Sequence, residues 1–543
     1  MRSRPAKPLP SRDGFWPAAA GVLSLALLLK LALIALDALP FNADEAVVGL
    51  MARHIQGGSW PTFFYGQAYM GSLDAALVAA GFVIVGPSVL VIRLVQTVLF
   101  LATILTTMLL AREMRFPTLV CSLAGLLIAF PPVNVTLYTT VSLGGYGEAL
   151  VLGNLILLAT LRMERSESSP WSYLGWGALT GFALWVFGLT LVYSIPSGLV
   201  LLVAARRRLK ARAVAGRAAA VGLGLLLGAM PMVVWSARSG AALLVQELLG
   251  AAVAGASPAG LAAAIASHAV NLALFGPTVL LGLRPPWGVT PLGMPFAPLV
   301  ALLWLVAVLI GVRKSSWPPE GLPGRALLIG VGGTLVAGFV LTPFGADPSG
   351  RYFLPLAVPL AIVAAAGVQA AMTRTKKRWP LALAGLVLAF NLGTTWQAAA
   401  AAPRLTTQFD SSTIYDHAYQ DQLVNFLLDH DETAGYSTYW IAYPLAFLSG
   451  ERLVYLPQLP YHSDFRYTGR DDRYAPYDSI VDAATQVAYI TARQPWLDSY
   501  LREGLRSLGV GYEETAIGDF RVFHSLTEAV RPGDLGLGPE AAP

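Results

Sequence analysis

Long apolar runs broken by short polar, base-rich segments occupy the chain up to about residue 397, after which the pattern changes. Eleven of these runs read as membrane-spanning helices, with cores near 16–37, 88–111, 117–132, 147–161, 172–188, 189–205, 218–236, 296–312, 326–342, 352–371 and 380–397. Several fall short of the ~20 residues a span needs, so their ends are loosely fixed. Two further pieces, 43–56 and 71–85, look amphipathic. The second, GSLDAALVAAGFVIV, ends at Gly86-Pro87 and suits a position along the membrane surface better than a crossing. The segment 237–295 is Ala/Gly-rich, then Pro-rich, and reads as a piece that dips into the bilayer or covers a cavity. Beyond 397, short apolar runs alternate with aromatic and acidic residues. Helices are expected at 413–430, 440–449 and 497–508, and strands near 433–438, 452–456, 485–491, 510–514 and 520–525. That alternation predicts a small α/β domain. The expected architecture is a polytopic α-helical membrane protein with about eleven transmembrane helices. Residues 1–397 form the membrane domain, including an outside loop at 38–87. Residues 398–530 form the α/β domain, and 531–543 a disordered Pro/Gly/Ala-rich tail.

Composition agrees with this outline. The chain is 55% hydrophobic and 13% charged, with a mean hydropathy of +0.59, which excludes an ordinary soluble protein. The basic residues fix the topology. A cytoplasmic N-terminus puts 21 Lys and Arg in the inside loops and only Arg53, Arg238, Arg284 and Arg351 in the outside loops between the spans. The first run has a basic leader, as a signal peptide would, but Lys30 interrupts it and its length suits a retained anchor. An odd number of spans then places the C-terminal domain outside the plasma membrane. Residues 398–543 carry 10 Lys and Arg against 20 Asp and Glu, so the domain is acidic and a nucleic-acid partner is excluded. The single cysteine, Cys121, rules out an intrachain disulfide.

The candidate chemistry gathers in the outside segments. Asp44 and Glu45 are adjacent carboxylates at a membrane surface, a costly pairing that packing explains poorly. Neighbours on a helix or turn point apart, so one suits a general base and the other an orienter or metal ligand. The bland account makes Asp44 the cap of a helix starting near Glu45. Glu148 follows the glycine turn SLGGYGE. It is either a second acid or a carboxylate favoured by the helix dipole. Tyr146 and these glycines would let a substrate approach the backbone. Arg351-Tyr352 pairs a phosphate-clamping guanidinium with an interfacial aromatic, with Asp347 as a nearby partner. Lys30, within a span, is a functional candidate by default or else snorkels to the surface. Arg93 reads more as structural, while His54, Tyr65 and Gln67 are candidate site-lining residues. The six histidines show no metal-ligand spacing, and nothing after residue 397 carries a catalytic pattern.

Together these residues resemble the GT-C membrane glycosyltransferases, in particular the protein mannosyltransferase-like and aminoarabinose transferase-like group. The resemblance rests on Asp44-Glu45 in the first outside loop, the short apolar piece ending at Gly86 before Arg93-Leu94, and GRYFLPLAVPL at 350–360. It implies transfer of a sugar from a dolichyl- or polyprenyl-phosphate donor to a hydroxyl of a glycan, lipid or protein, with inversion at the sugar. It implies Asp44 as the base, Glu45 in support and Arg351 on the donor phosphate. Many such proteins carry a His-Pro-Pro-type motif after the acidic pair, where this chain has GQAYMGSLDA. No nucleotide cofactor is implied, and a divalent cation stays open. The competing readings are a transporter or lipid flippase, and a non-catalytic subunit of a cell-envelope assembly complex. Both sit less well with acids in outside loops, no internal repeat and an appended α/β domain.

Overall fold

The computed structural model describes residues 14–166, 168–248 and 260–540. Arg2, Arg4, Lys7 and Arg12, counted above for topology, and the last three residues of the expected tail lie outside them. Among the described residues nine helices are long and apolar enough to cross a membrane. Eight of them coincide with expected spans. Of the remaining three expected spans, 172–188 is the 17-residue helix Pro170–Val186, 117–132 is Thr118–Ala129 and 296–312 is Ala297–Gly311, of 12 and 15 residues. The ninth long helix, Leu261–Leu280, was not expected as a span. Its Ala, Ser, His, Asn and Gly residues dilute its apolar character, and Pro277 interrupts it, so it reads weakly against its neighbours.

The chain divides into two compact units. The first comprises residues 1–36, 96–140 and 145–400, and its described residues are mostly helical. Its central helices are Tyr146–Arg165 and Arg351–Thr375, each 67% buried over its most apolar window, whereas Ala211–Gly228 is 6% buried and peripheral. Lys30 faces inward here and is 1% exposed. Its ammonium donates to the Thr136 carbonyl at 3.1 Å, Thr139 Oγ1 at 2.8 Å and Thr140 Oγ1 at 2.5 Å, and lies 4.2 Å from the Phe100 ring centre. A lysine has three protons to donate, and these contacts use all three. Lys30 therefore neither snorkels to the surface nor keeps a proton for a substrate. It ties the first helix to the turn after the short helix Val133–Tyr138.

The second unit comprises 37–95, 141–144 and 401–543, so the segment 38–87, expected as an outside loop, groups with the C-terminal segment. The expected amphipathic pieces are the helices Ala43–Gln56 and Leu73–Val85, joined through a small hairpin, Phe63–Phe64 and Gln67–Gly71. The α/β part holds a five-stranded sheet in the order Val454–Leu456, Ala434–Tyr436, Ala488–Ala492, Phe520–His524, Glu513–Ile517. The first three strands run parallel, and the last two join antiparallel as a hairpin. Helices Gln420–Asp429 and Tyr439–Ser449 bury Leu423, Leu427, Ile441 and Leu445 against Tyr455, Ile490 and Val522. The expected disordered tail is instead ordered through residue 540. Pro532–Leu535 forms a helical turn, and Gly538–Pro539 pairs in parallel with Arg466–Tyr467, because Leu535 and Leu537 are buried and anchor it.

Candidate functional site

Asn42 caps the helix Ala43–Gln56. Its side-chain oxygen accepts from the Glu45 N–H at 3.0 Å, while its amide nitrogen donates back to Glu45 Oε2 at 3.2 Å. The cap is therefore Asn42, not Asp44, and Asp44 is released from that duty. The acidic pair then splits. Glu45 points inward and is fully buried, gripped by Arg93 through two bonds of 3.1 Å, Nε to Oε1 and Nη2 to Oε2. This forked pair locks the helix to the start of Val89–Glu113. Asp44 points the other way, and of residues 41–50 it alone is not buried.

Asp44 Oδ1 accepts a 2.6 Å hydrogen bond from the Tyr439 hydroxyl, on the first residue of helix Tyr439–Ser449. Burial, then the charge of Asp44, pushes the Tyr439 hydroxyl well up, so the phenol stays protonated and donates. Arg473 lies 5.2 Å from the Tyr439 ring centre. Burial depresses the Arg473 guanidinium, but Tyr439, Asp471 and Asp44 together outweigh that and hold it charged. Gln67, with its amide oxygen turned to Arg473, accepts from Nη1 at 2.9 Å and Nη2 at 3.2 Å. Gly66 beside it has φ +71°, and a Cβ there would sit 2.8 Å from Arg473 Cδ, so only glycine fits. Asp471 accepts from Tyr461 at 2.7 Å and is pushed up by burial. Tyr439, Asp471 and Arg473 all come from the segment in which the sequence showed no catalytic pattern. A lone DDRY among acidic residues was the one available hint.

His54 and Tyr65 belong to a neighbouring cluster. His54 bonds Tyr65 through Nδ1 and Glu451 through Nε2, both at 2.8 Å, and Tyr474 stacks on both rings at 4.6 and 4.8 Å. Burial raises the Glu451 carboxyl, but its bonds from His54 and Tyr477 more than reverse this and hold it low.

The segment GQAYMGSLDA supplies a residue the sequence reading passed over. Asp74 is 1% exposed, and its Oδ2 accepts from Ser142 Oγ at 2.5 Å and the Gly144 N–H at 3.2 Å. This fixes the loop 141–144. Gly144 has φ +75°, and a Cβ there would meet Phe64 at 2.7 Å. The space is filled by an aromatic ring, so this glycine serves a turn and its packing rather than substrate approach. Asp74→Ala should cost about 1–3 kcal/mol by stranding these donors. Hydrogen exchange at Ser142–Gly144 should quicken, and unchanged protection there would remove Asp74 from this role.

Glu148, Tyr146, Arg351 and Tyr352 lie in the other unit. Glu148 is buried in the first turn of its helix, where the dipole favours a carboxylate. The Tyr146 ring packs edge-on against Phe187, 4.8 Å between centres. Arg351 Nε donates to Asp347 Oδ2 at 2.6 Å, and its guanidinium lies 5.1 Å from the buried Tyr352 ring. No cluster of three or more His, Cys, Asp or Glu suited to a metal ion occurs among the described residues. The charges of Asp44 and Asp471 both act on the Arg473 cation.

No protein-family model and no curated protein sequence matches the chain. Solved structures do. ArnT from Cupriavidus metallidurans bound to undecaprenyl phosphate superposes with a TM-score of 0.57 at 14% identity, covering 94% of this chain and 98% of its own. The archaeal oligosaccharyltransferase AglB from Archaeoglobus fulgidus, in complex with an inhibitory peptide and a dolichol-phosphate, gives 0.50 at 12%, covering 95% and 74%. The oligosaccharyltransferase of that organism in complex with Zn and sulfate gives 0.50 at 13%, covering 92% and 72%. At these identities the likeness shows the fold alone, and it agrees with the GT-C-like fold expected from the sequence.

Proposed function

We propose that the protein is an integral-membrane glycosyltransferase that moves a sugar from a polyprenyl-phosphate donor to a hydroxyl acceptor at the outer membrane surface. The observation that carries this is the split acidic pair. Asp44 has one carboxylate oxygen held by Tyr439 and remains partly exposed, while Glu45 is spent on Arg93. A held, accessible carboxylate is what a general base for an acceptor hydroxyl requires. The fold supports the donor class, since a solved relative in shape holds undecaprenyl phosphate. Asp44 takes the acceptor proton as the acceptor oxygen attacks the anomeric carbon. The bond from that carbon to the phosphate oxygen breaks, and polyprenyl phosphate leaves with the electron pair. One displacement inverts the anomeric centre.

Arg351 is our assignment for the donor phosphate, because a guanidinium matches a phosphate bidentately and the resemblance of GRYFLPLAVPL places a phosphate contact there. Arg351→Ala should weaken undecaprenyl phosphate binding about tenfold or more, given that charged hydrogen bonds contribute ~1.5–3 kcal/mol. Unchanged affinity would strike Arg351 from the site. The 21-to-4 bias of basic residues supports a cytoplasmic N-terminus and an external α/β domain. Ser463 is exposed, and Cys121 is buried. Ser463→Cys should therefore react with an impermeant maleimide in intact cells, and reaction only after permeabilisation would reverse the topology. The activity itself is tested by incubating purified protein with a panel of undecaprenyl- and dolichyl-phosphate sugars plus a cell-envelope glycan fraction. Release of polyprenyl phosphate from at least one donor is expected, and release from none overturns the reading.

A further inference from the structure

We propose that the C-terminal α/β segment is a working part of the catalytic centre, with Tyr439 and Arg473 as positioning residues for Asp44. The inference rests on the transferase reading above, and goes beyond it by giving the appended segment a role in the chemical step.

Three independent anchors hold Tyr439. Its hydroxyl is on Asp44, its backbone N–H donates to the Tyr461 hydroxyl at 3.2 Å, and one ring face meets the Arg473 guanidinium. The ring is 3% exposed, so it has no room to swing away from the carboxylate. The helix that begins at Tyr439 is itself docked on the helix bearing Asp44. A Cβ at Gly49 would lie 2.4 Å from the Phe447 ring, and Phe447 also packs 5.5 Å from Phe41 and 6.2 Å from Phe82, centre to centre. A tyrosine at the start of that helix therefore reaches Asp44 from a fixed origin.

Arg473 is anchored just as firmly. Its backbone N–H donates to the Tyr443 hydroxyl at 2.5 Å, one turn along the same helix from Tyr439. Gly66 clears space for its stem, and Gln67 takes both ends of its fork. Gln67 belongs to the segment GQAYMGSLDA, where the chain leaves the His-Pro-Pro-type pattern. Here that segment builds the seat for a cation supplied from the C-terminal segment.

The chemistry follows from the charges. Asp44 and Asp471 repel each other, and the charge of Arg473 acts against that repulsion. The phenol fixes one oxygen of Asp44, which orients the other toward the acceptor. Misplacing a catalytic group by about 1 Å costs on the order of 10²-fold in rate. The phenol hydroxyl touches the base rather than the substrate, so its loss should fall on turnover.

The test uses the full chain and the donor that wild type turns over best in the panel above. Tyr439→Phe removes one oxygen atom and keeps the ring. It should lower kcat about 10–100-fold with donor KM unchanged. Arg473→Gln should lower kcat at least as far, and Arg473→Lys should recover part of the loss because the charge returns without the fork. Wild-type kcat in Tyr439→Phe, with Asp44→Asn inactive, overturns this inference and leaves the transferase reading standing. A rise in KM with kcat unchanged also overturns it, since that assigns Tyr439 to substrate binding. Activity in Asp44→Asn, or no release by wild type, overturns the reading and this inference together.

Discussion

Asp44→Asn should abolish sugar transfer and leave the fold intact. The loss should be about 10²–10⁴-fold in the rate of polyprenyl phosphate release, the range associated with removing a positioned general base. The fold should survive because an asparagine still offers an oxygen to the Tyr439 hydroxyl, and because Asp44 is the one residue of 41–50 that is not buried. The neighbouring substitution separates this from a general effect of charge. Initial rates measured beside thermal unfolding midpoints decide the matter. A wild-type rate, or a collapsed midpoint, would contradict the assignment.

Glu45→Ala should do the reverse and act through stability. Glu45 is fully buried, Arg93 is 4% exposed, and two hydrogen bonds join them. Removing the acid leaves a buried guanidinium without its counter-charge, which costs about 3–5 kcal/mol. It also removes half of the reciprocal cap with Asn42, where losing a cap costs about 0.5–2 kcal/mol. The expected result is poor recovery of folded protein in detergent and a clearly lower unfolding midpoint. Adding Arg93→Leu should restore part of the loss, because it removes the uncompensated buried charge. An unchanged midpoint in the single variant would show that the pair is not structural.

These opposite fates for adjacent residues mark where the sequence stopped being informative. Hydropathy made eight spans legible because a membrane helix is defined by its own composition. The α/β elements were legible for a similar reason, since short apolar runs bounded by polar segments declare buried strands locally, as at Ala488–Ala492. Leu261–Leu280 escaped because small and polar residues weaken that local signal. The acidic pair stood out because two adjacent carboxylates at an apolar surface need a reason. Which one faced inward depended on Arg93, 48 residues away, and on Asn42 taking the cap. The partner of Asp44 lies 395 residues away on Tyr439. No local pattern announces a contact across that separation. The same holds for Lys30, whose threonine partners lie more than 100 residues on and turn a suspected functional charge into a structural tie.

The central claim is that this chain breaks the bond between sugar and polyprenyl phosphate rather than moving the intact lipid across the membrane. Reconstituted protein, given a donor labelled separately in sugar and lipid together with the envelope glycan fraction, tests it most directly. The account predicts sugar label on the acceptor and free polyprenyl phosphate in equal amounts, both lost in Asp44→Asn. Intact donor appearing in the opposite leaflet, with no free polyprenyl phosphate, would contradict it.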